Sequence, residues 1–207
     1  MMNLEKICEC LGSHQSELIL PDNAKFTSVL IPLIEKDGQL HVLFEVRSNN
    51  IAQAGEISFP GGHVEKGETA KETAIRETCE ELLIRPEQVE IICPLHRLAD
   101  RVRIVVDSYL GILHDYEGTF DPKEVARVFT VPLNDLLNEE PQISYGEMIL
   151  QRGDDFPYEL IPGGEKYRFY PVPRRFIFYK EDNEIIWGLT GELLDQFLKL
   201  LRKELNQ

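Results

Sequence analysis

The stretch GHVEKGETAKETAIRETCEELLI, residues 62–84, places its charges too specifically for a generic surface helix. At about 100° per residue, Glu77, Glu80 and Glu81 stand at i, i+3 and i+4 and share one helical face. Like charges at that spacing cost an isolated helix roughly 0.2–0.5 kcal/mol per pair, so helix formation alone does not favour them. A bound cation would offset the cost, and hard oxygen donors suit Mg²⁺ or Mn²⁺ better than zinc. Ile75, Cys79 and Leu82 fall on the opposite side, with Thr78 at its margin, which predicts a core-facing stripe and an acid-facing stripe. Arg76 stands one turn from Glu80, at the edge of the acidic face, where it can orient a carboxylate.

The residues just before the helix supply the rest of the site. Phe59-Pro60-Gly61-Gly62 ends a strand-like run, and its two glycines let the backbone turn sharply and bring a carbonyl close to a metal or phosphate. Thr69 followed by Glu72 is a capping box that opens the helix, and Pro86 limits its far end. The predicted order is strand, glycine-rich loop, acidic helix.

Gly62, Glu68, Arg76-Glu77 and Glu80-Glu81 stand in a register that resembles the Nudix box. Two positions depart from the usual pattern, Thr78 where an aliphatic residue is common and Leu83 where glycine is usual. Because that glycine normally takes the left-handed conformation that ends the helix, Leu83 predicts a different helix ending with the metal face intact.

Outside this segment the chain reads as one α+β domain, residues 1–207, with a mixed β-sheet sandwiched between helices. Residues 1–24 form a leading extension with a helix over 3–12, and residues 26–34 and 40–47 form a hairpin turning at Lys36-Asp37-Gly38. Further strands are expected at Val89–Cys93, Ile104–Leu113 and Val125–Phe129, the second apolar enough to be central. A short helix spans 132–138, and Glu192–Leu205 closes the chain with Leu193, Leu194, Phe197, Leu200 and Leu201 inward. Residues 141–175, rich in proline, glycine and aromatic side chains, read as a substrate-facing loop region. Beyond it, Phe176 and Phe178 stand at strand spacing and are expected to be buried, while Tyr167 and Tyr170 lie nearer the glycine-rich turn.

A net charge of −14 and a pI near 4.8 argue against a large nucleic-acid footprint, although a small phosphorylated ligand needs only a local cluster of basic residues. No 18-residue apolar run or signal-peptide pattern is present, so a cytoplasmic protein without membrane contact is expected. The four cysteines fit a reducing compartment. Cys8, Cys10 and His14 lack a second cluster that would complete a zinc site. A homodimer is compatible with the chain, and nothing in the sequence locates its interface.

The resemblance implies hydrolysis of a nucleoside diphosphate linked to another moiety, with Mg²⁺ or Mn²⁺ as cofactor. By the same resemblance Glu77 and Glu81 are the principal metal ligands, Glu80 a further ligand directly or through water, and the Gly61 carbonyl completes the shell. Arg76 positions Glu77, and Glu68 braces loop and helix. The general base stays open among Glu124, Glu139, Glu140 and Glu165. The run VLFEVRSNNIAQAGEISFPGG, residues 42–62, with 124–133 and 186–190, resembles the branch that splits coenzyme A into 3′,5′-ADP and 4′-phosphopantetheine. Ile51 and Gln53 replace an Arg and a His common in that branch, and Arg47 or the pair Arg174-Arg175 stand available as substrate-binding cations beside Gly61 and Gly62. Other dinucleotides, ADP-ribose or NADH among them, stay open as substrates. A ligand sensor without catalysis is the reading of another class, and the full acid set with Arg76 speaks against it.

Overall fold

A computed structural model describes residues 19–99 and 104–205, together with Lys6, Cys8, Cys10 and Ser13. The leading helix expected over 3–12 and the placing of Cys8 and Cys10 relative to His14 lie, those isolated positions apart, outside the described residues.

Strands β1 (Lys25–Lys36) and β2 (Gln39–Arg47) form the expected hairpin. Asp37 and Gly38 have φ of 52° and 74°, the two left-handed residues that a two-residue type I′ turn needs. The strands pair only from Lys36 opposite Gln39 to Leu33 opposite Val42, and then diverge. Residues 57–63 fill the split: β3 (Ile57–Ser58) pairs with β2, and β4 (Gly61–His63) pairs with β1. The glycine loop is thereby stitched into the sheet on both sides.

On its other edge β1 runs parallel to β6 (Ile104–Leu113), which pairs in turn with β5 (Val89–Ala99). β7 (Val125–Pro132) lies antiparallel along the far edge of β2. β6 is therefore central, as its apolar run predicts, while β5 extends to Ala99 rather than stopping at Cys93.

Strand alternation sends Leu30 and Leu43 to one face, where they meet Leu82 of α1 (Ala70–Leu82). Ile31, Leu33, Val42 and Phe44 go to the other face. That face is covered by the short α2 (Leu133–Asn138) and by α3 (Gly188–Leu205), giving the expected layered α+β arrangement. A second sheet also packs there, formed by β8 (Gln142–Met148), β9 (Val172–Glu181) and β10 (Glu184–Ile186). None of the helices among the described residues is long and apolar enough to cross a membrane.

Several expectations are corrected here. Residues 141–175 are not one loop, because β8 and the start of β9 lie within them. In β9 the buried side chains are Ile177 and Tyr179, not Phe176 and Phe178. Both parities of that strand carry large apolar groups, and the outer pair is sheltered instead by Arg174 over Phe176 and Trp187 stacked on Phe178. α3 starts at Gly188 rather than Glu192, and Leu198 rather than Leu200 is fully buried.

Candidate active site

α1 forms where its caps dictate. The Thr69 hydroxyl accepts from the Glu72 N–H while the Glu72 carboxylate accepts from the Thr69 N–H at 2.8 Å, closing the capping box. At the far end the structure corrects the expected change of ending. Leu83 itself takes the left-handed conformation, φ 53° and ψ 45°, and the N–H groups of Leu83 and Ile84 both return to the Cys79 carbonyl. The Thr119 hydroxyl donates to the Leu82 carbonyl at 2.6 Å, and the Asp121 N–H to that of Glu81 at 2.8 Å. This loop over-determines a backbone that leucine alone disfavours.

The helix also sits on the sheet at a different angle from the one its apolar residues suggest. Its inward line runs through Ala74, Thr78, Glu81 and Leu82, while Ile75 and Cys79 are only half-buried. Thr78 is fully buried rather than marginal, and its hydroxyl donates to the Ala74 carbonyl at 2.6 Å. Glu81 is carried to the sheet surface and is only 6% exposed.

There the Glu81 carboxylate accepts from the Gly61 N–H at 2.8 Å. Burial chiefly, and then the Glu77 and Glu124 charges, push its pKa up to about 8, although the Gly61 hydrogen bond opposes the rise. Glu77, half-buried, is also raised by burial, against the opposing pull of Arg76. Gly61 and Gly62 serve different purposes. A Cβ on Gly61 would meet the Ser28 carbonyl of β1 at 2.3 Å, whereas one on Gly62 would meet the Glu77 carboxylate at 2.3 Å.

Arg76 organises the outer side. Its Nε and Nη2 donate to the two Glu68 oxygens at 2.7 and 3.1 Å, and its Nη1 donates to Glu77 at 2.9 Å and Glu80 at 3.0 Å. Glu68 also accepts from the Thr73 hydroxyl at 2.7 Å and the Glu65 N–H at 3.2 Å. These bonds, Arg76 first, hold its carboxyl down at about 2. Glu80 turns outward, its side chain 60% exposed. As these side chains stand, no three Asp, Glu, His or Cys groups among the described residues are gathered at the spacing of a formed metal centre.

One acidic residue at the site escaped sequence reasoning. Glu45 of β2 is 1% exposed and lies on the face that α1 covers. Burial first, and then the Glu81 charge, drive its pKa well above the carboxylate range. A glutamate interrupting the apolar run Val42–Val46 was the available signal. Of the four candidates for a base, only Glu124 bears on Glu45, Glu77 and Glu81. Glu139 instead accepts from the Lys180 N–H and faces Glu181, and Glu140 and Glu165 show no such influence.

The basic residues part company. Arg47 acts on Glu45 and Glu81, and its Nε donates to the Ala52 carbonyl at 2.9 Å. Arg174 lines a separate cavity of about 370 Å³ with Leu98, Met148 and Trp187, and none of the carboxylates just described lines it. Arg175 pairs with Glu192 at 3.2 Å and Asp195 at 3.1 Å. Gln53 adopts φ 59° and donates to Glu56 at 3.1 Å.

The sequence matches known proteins along most of its length. The NUDIX domain model matches residues 24–151. The chain is 38% identical over 151 residues to the mouse peroxisomal coenzyme A diphosphatase NUDT7, a match covering 70% of this chain and 61% of that protein. It is 33% identical over 208 residues to Nudix hydrolase 3 of Caenorhabditis elegans, covering 97% of this chain and 84% of the relative. A MutT/nudix family protein from Enterococcus faecalis superposes with a TM-score of 0.49 at 17% identity, over 100% of this chain and 71% of that one. With its glycine loop sewn between two strands and its acidic helix laid over them, the chain belongs to the Nudix hydrolase family.

Proposed function

We propose that the chain is a divalent-cation-dependent pyrophosphohydrolase that cleaves coenzyme A or an acyl-CoA, with water, to 3′,5′-ADP and (acyl-)4′-phosphopantetheine. The observation that carries the reading is the buried Glu81 carboxylate, set on the Gly61 N–H, on which Glu45, Glu77 and Glu124 bear electrostatically. Arg47 bears on the buried pair and Arg76 on Glu77, and the all-oxygen donor set of these carboxyl groups fits Mg²⁺ or Mn²⁺. Glu77, Glu81, Glu80 and the Gly61 carbonyl are the groups we assign to hold it.

The chemistry that a bound Mg²⁺ or Mn²⁺ supplies is neutralisation of the pyrophosphate oxygens, which eases attack on phosphorus. The remaining work falls to this chain. Gly62, lacking a side chain, leaves the Glu77 carboxylate room against the loop. Glu68 fixes Arg76, and Arg76 holds Glu77 and Glu80 in register. Glu124 is delivered by the loop that caps α1 and takes the proton from the attacking water. Arg47, whose charge bears on Glu45 and Glu81, is the cation we assign to a substrate phosphate.

The substrate assignment draws on the coenzyme A diphosphatase relative and on the 42–62 segment. The absence of a basic side chain at Ile51 and Gln53 favours, as second reading, a dinucleotide without a 3′-phosphate such as ADP-ribose or NADH. The test is mass-spectrometric product analysis with Mg²⁺ or Mn²⁺ and a mixture of CoA, acetyl-CoA, ADP-ribose and NADH, with Glu81→Gln as control. Adenosine 3′,5′-bisphosphate and phosphopantetheine, absent in the variant, are expected. AMP from ADP-ribose or NADH alone would replace the first reading by the second, and no turnover would overturn both.

A further inference from the structure

Glu45 is the acid that the fold itself gives no reason to keep. It stands in β2 between the buried Phe44 and Val46, opposite Ser58 of β3 and Val128 of β7. Its own side chain points to the α1 face, on the same side as Leu43. A valine or threonine would satisfy that strand position better than a glutamate, since a buried carboxyl oxygen left without a donor is unfavourable. Its Oε1 is wholly enclosed and has no hydrogen-bond partner. The group it faces is another carboxylate, Glu81, whose backbone N–H contact at Gly61 fixes it from the opposite side. Arg47 bears on the pair, but its Nε is already donated to the Ala52 carbonyl. The buried pair therefore leaves one oxygen without a donor at one definite place, beside the glycine loop.

We propose that Glu45 is a positioning residue of the cation site: from beneath the helix it braces the Glu81 carboxyl toward the loop and so holds it in the arrangement that binds a divalent cation. This rests on the cation site assigned above. Removal of a buried oxygen that has no donor relieves the empty protein, whereas the same removal weakens the loaded one by loosening Glu81. The two effects have opposite sign, which a merely structural residue would not show.

The experiment uses the full chain as wild type, Glu45→Gln and Glu81→Gln, without substrate. Mn²⁺ binding is followed by the electron paramagnetic resonance signal of the free ion, and unfolding midpoints are read with and without Mn²⁺. We expect Glu45→Gln to unfold at or above the wild-type midpoint without metal, to bind Mn²⁺ at least threefold more weakly, and to gain less from it on heating. Glu45→Met, of similar volume, gives the same readout should glutamine disturb the strand. A Mn²⁺ affinity within threefold of wild type in the Glu45 variant, with binding lost in Glu81→Gln, overturns the role of Glu45 and leaves the cation site standing. Wild-type protein that binds no Mn²⁺, or a Glu81→Gln variant that binds it unchanged, overturns the site itself and this inference with it.

Discussion

The carboxylate of Glu77 occupies the space in which a side chain on Gly62 would begin: a Cβ there would stand 2.3 Å from both its Cδ and its Oε1. The atoms in the way are the far end of a flexible chain, so Gly62→Ala is expected to fold with little change in stability while displacing Glu77. Misplacement of that order costs about 10²-fold in rate. The neighbouring Gly61→Ala meets backbone instead, at a φ of 154°, and is expected to lose about 3 kcal/mol or more. Paired measurement of kcat and urea midpoint checks both, since one variant should lose activity and the other stability.

Glu124→Gln removes a proton acceptor without disturbing the loop, because the loop is held by backbone contacts from Asp121 to Glu81 and from Ser48 to Glu124. The expected result is a fall in kcat of about 10²–10⁴-fold with KM and unfolding midpoint near wild type. Equal activity would remove Glu124 from the mechanism.

Leu83 is 57% exposed and held at φ 53°. Leu83→Gly therefore surrenders little packing and relieves a left-handed leucine. A net stabilisation of about 0.5–1 kcal/mol, read as a higher urea midpoint with unchanged slope, is expected.

Glu139 and Glu181 face each other on the side of α2 and β9. Burial first, and then the hydrogen bond with Glu139 and its charge, push Glu181 up to about 7 from an ordinary 4.5. A carboxyl raised on folding contributes stability that is fully present below 4.5 and is lost as pH rises through about 7. Glu181→Gln is expected to flatten the fall in stability across that window, measured as the difference between wild-type and variant midpoints at each pH.

What was legible in the sequence is what local chemistry decides. The Thr69–Glu72 cap, the Asp37-Gly38 turn and the spacing of Arg76, Glu77, Glu80 and Glu81 need no knowledge of what packs where. The rest depends on how elements meet. A helical wheel gives the order of residues around α1 but not the angle at which it rests, and so Glu81 and Thr78 proved to be buried. Glu45 was hidden for the same reason, since its meaning comes from Glu81, on a helix that follows later in the chain. In β9 both faces are apolar, so alternation alone could not choose between Phe176 and Ile177. Leu83 shows the reverse case, in which a poor local preference yields to Thr119 and Asp121.

The covering of the second sheet face has a consequence for what counts as a part of this molecule. The NUDIX domain match ends at residue 151, yet Ile177, Tyr179, Leu194 and Phe197 lie beyond it and belong to the same core cluster as Phe44 and Val42 within it. A chain cut at the shared boundary would lose a wall of its own interior rather than an appendage. The stretch that the domain match spans and the stretch that must collapse together are of different lengths here, and only the longer one shelters the strand that carries Glu45.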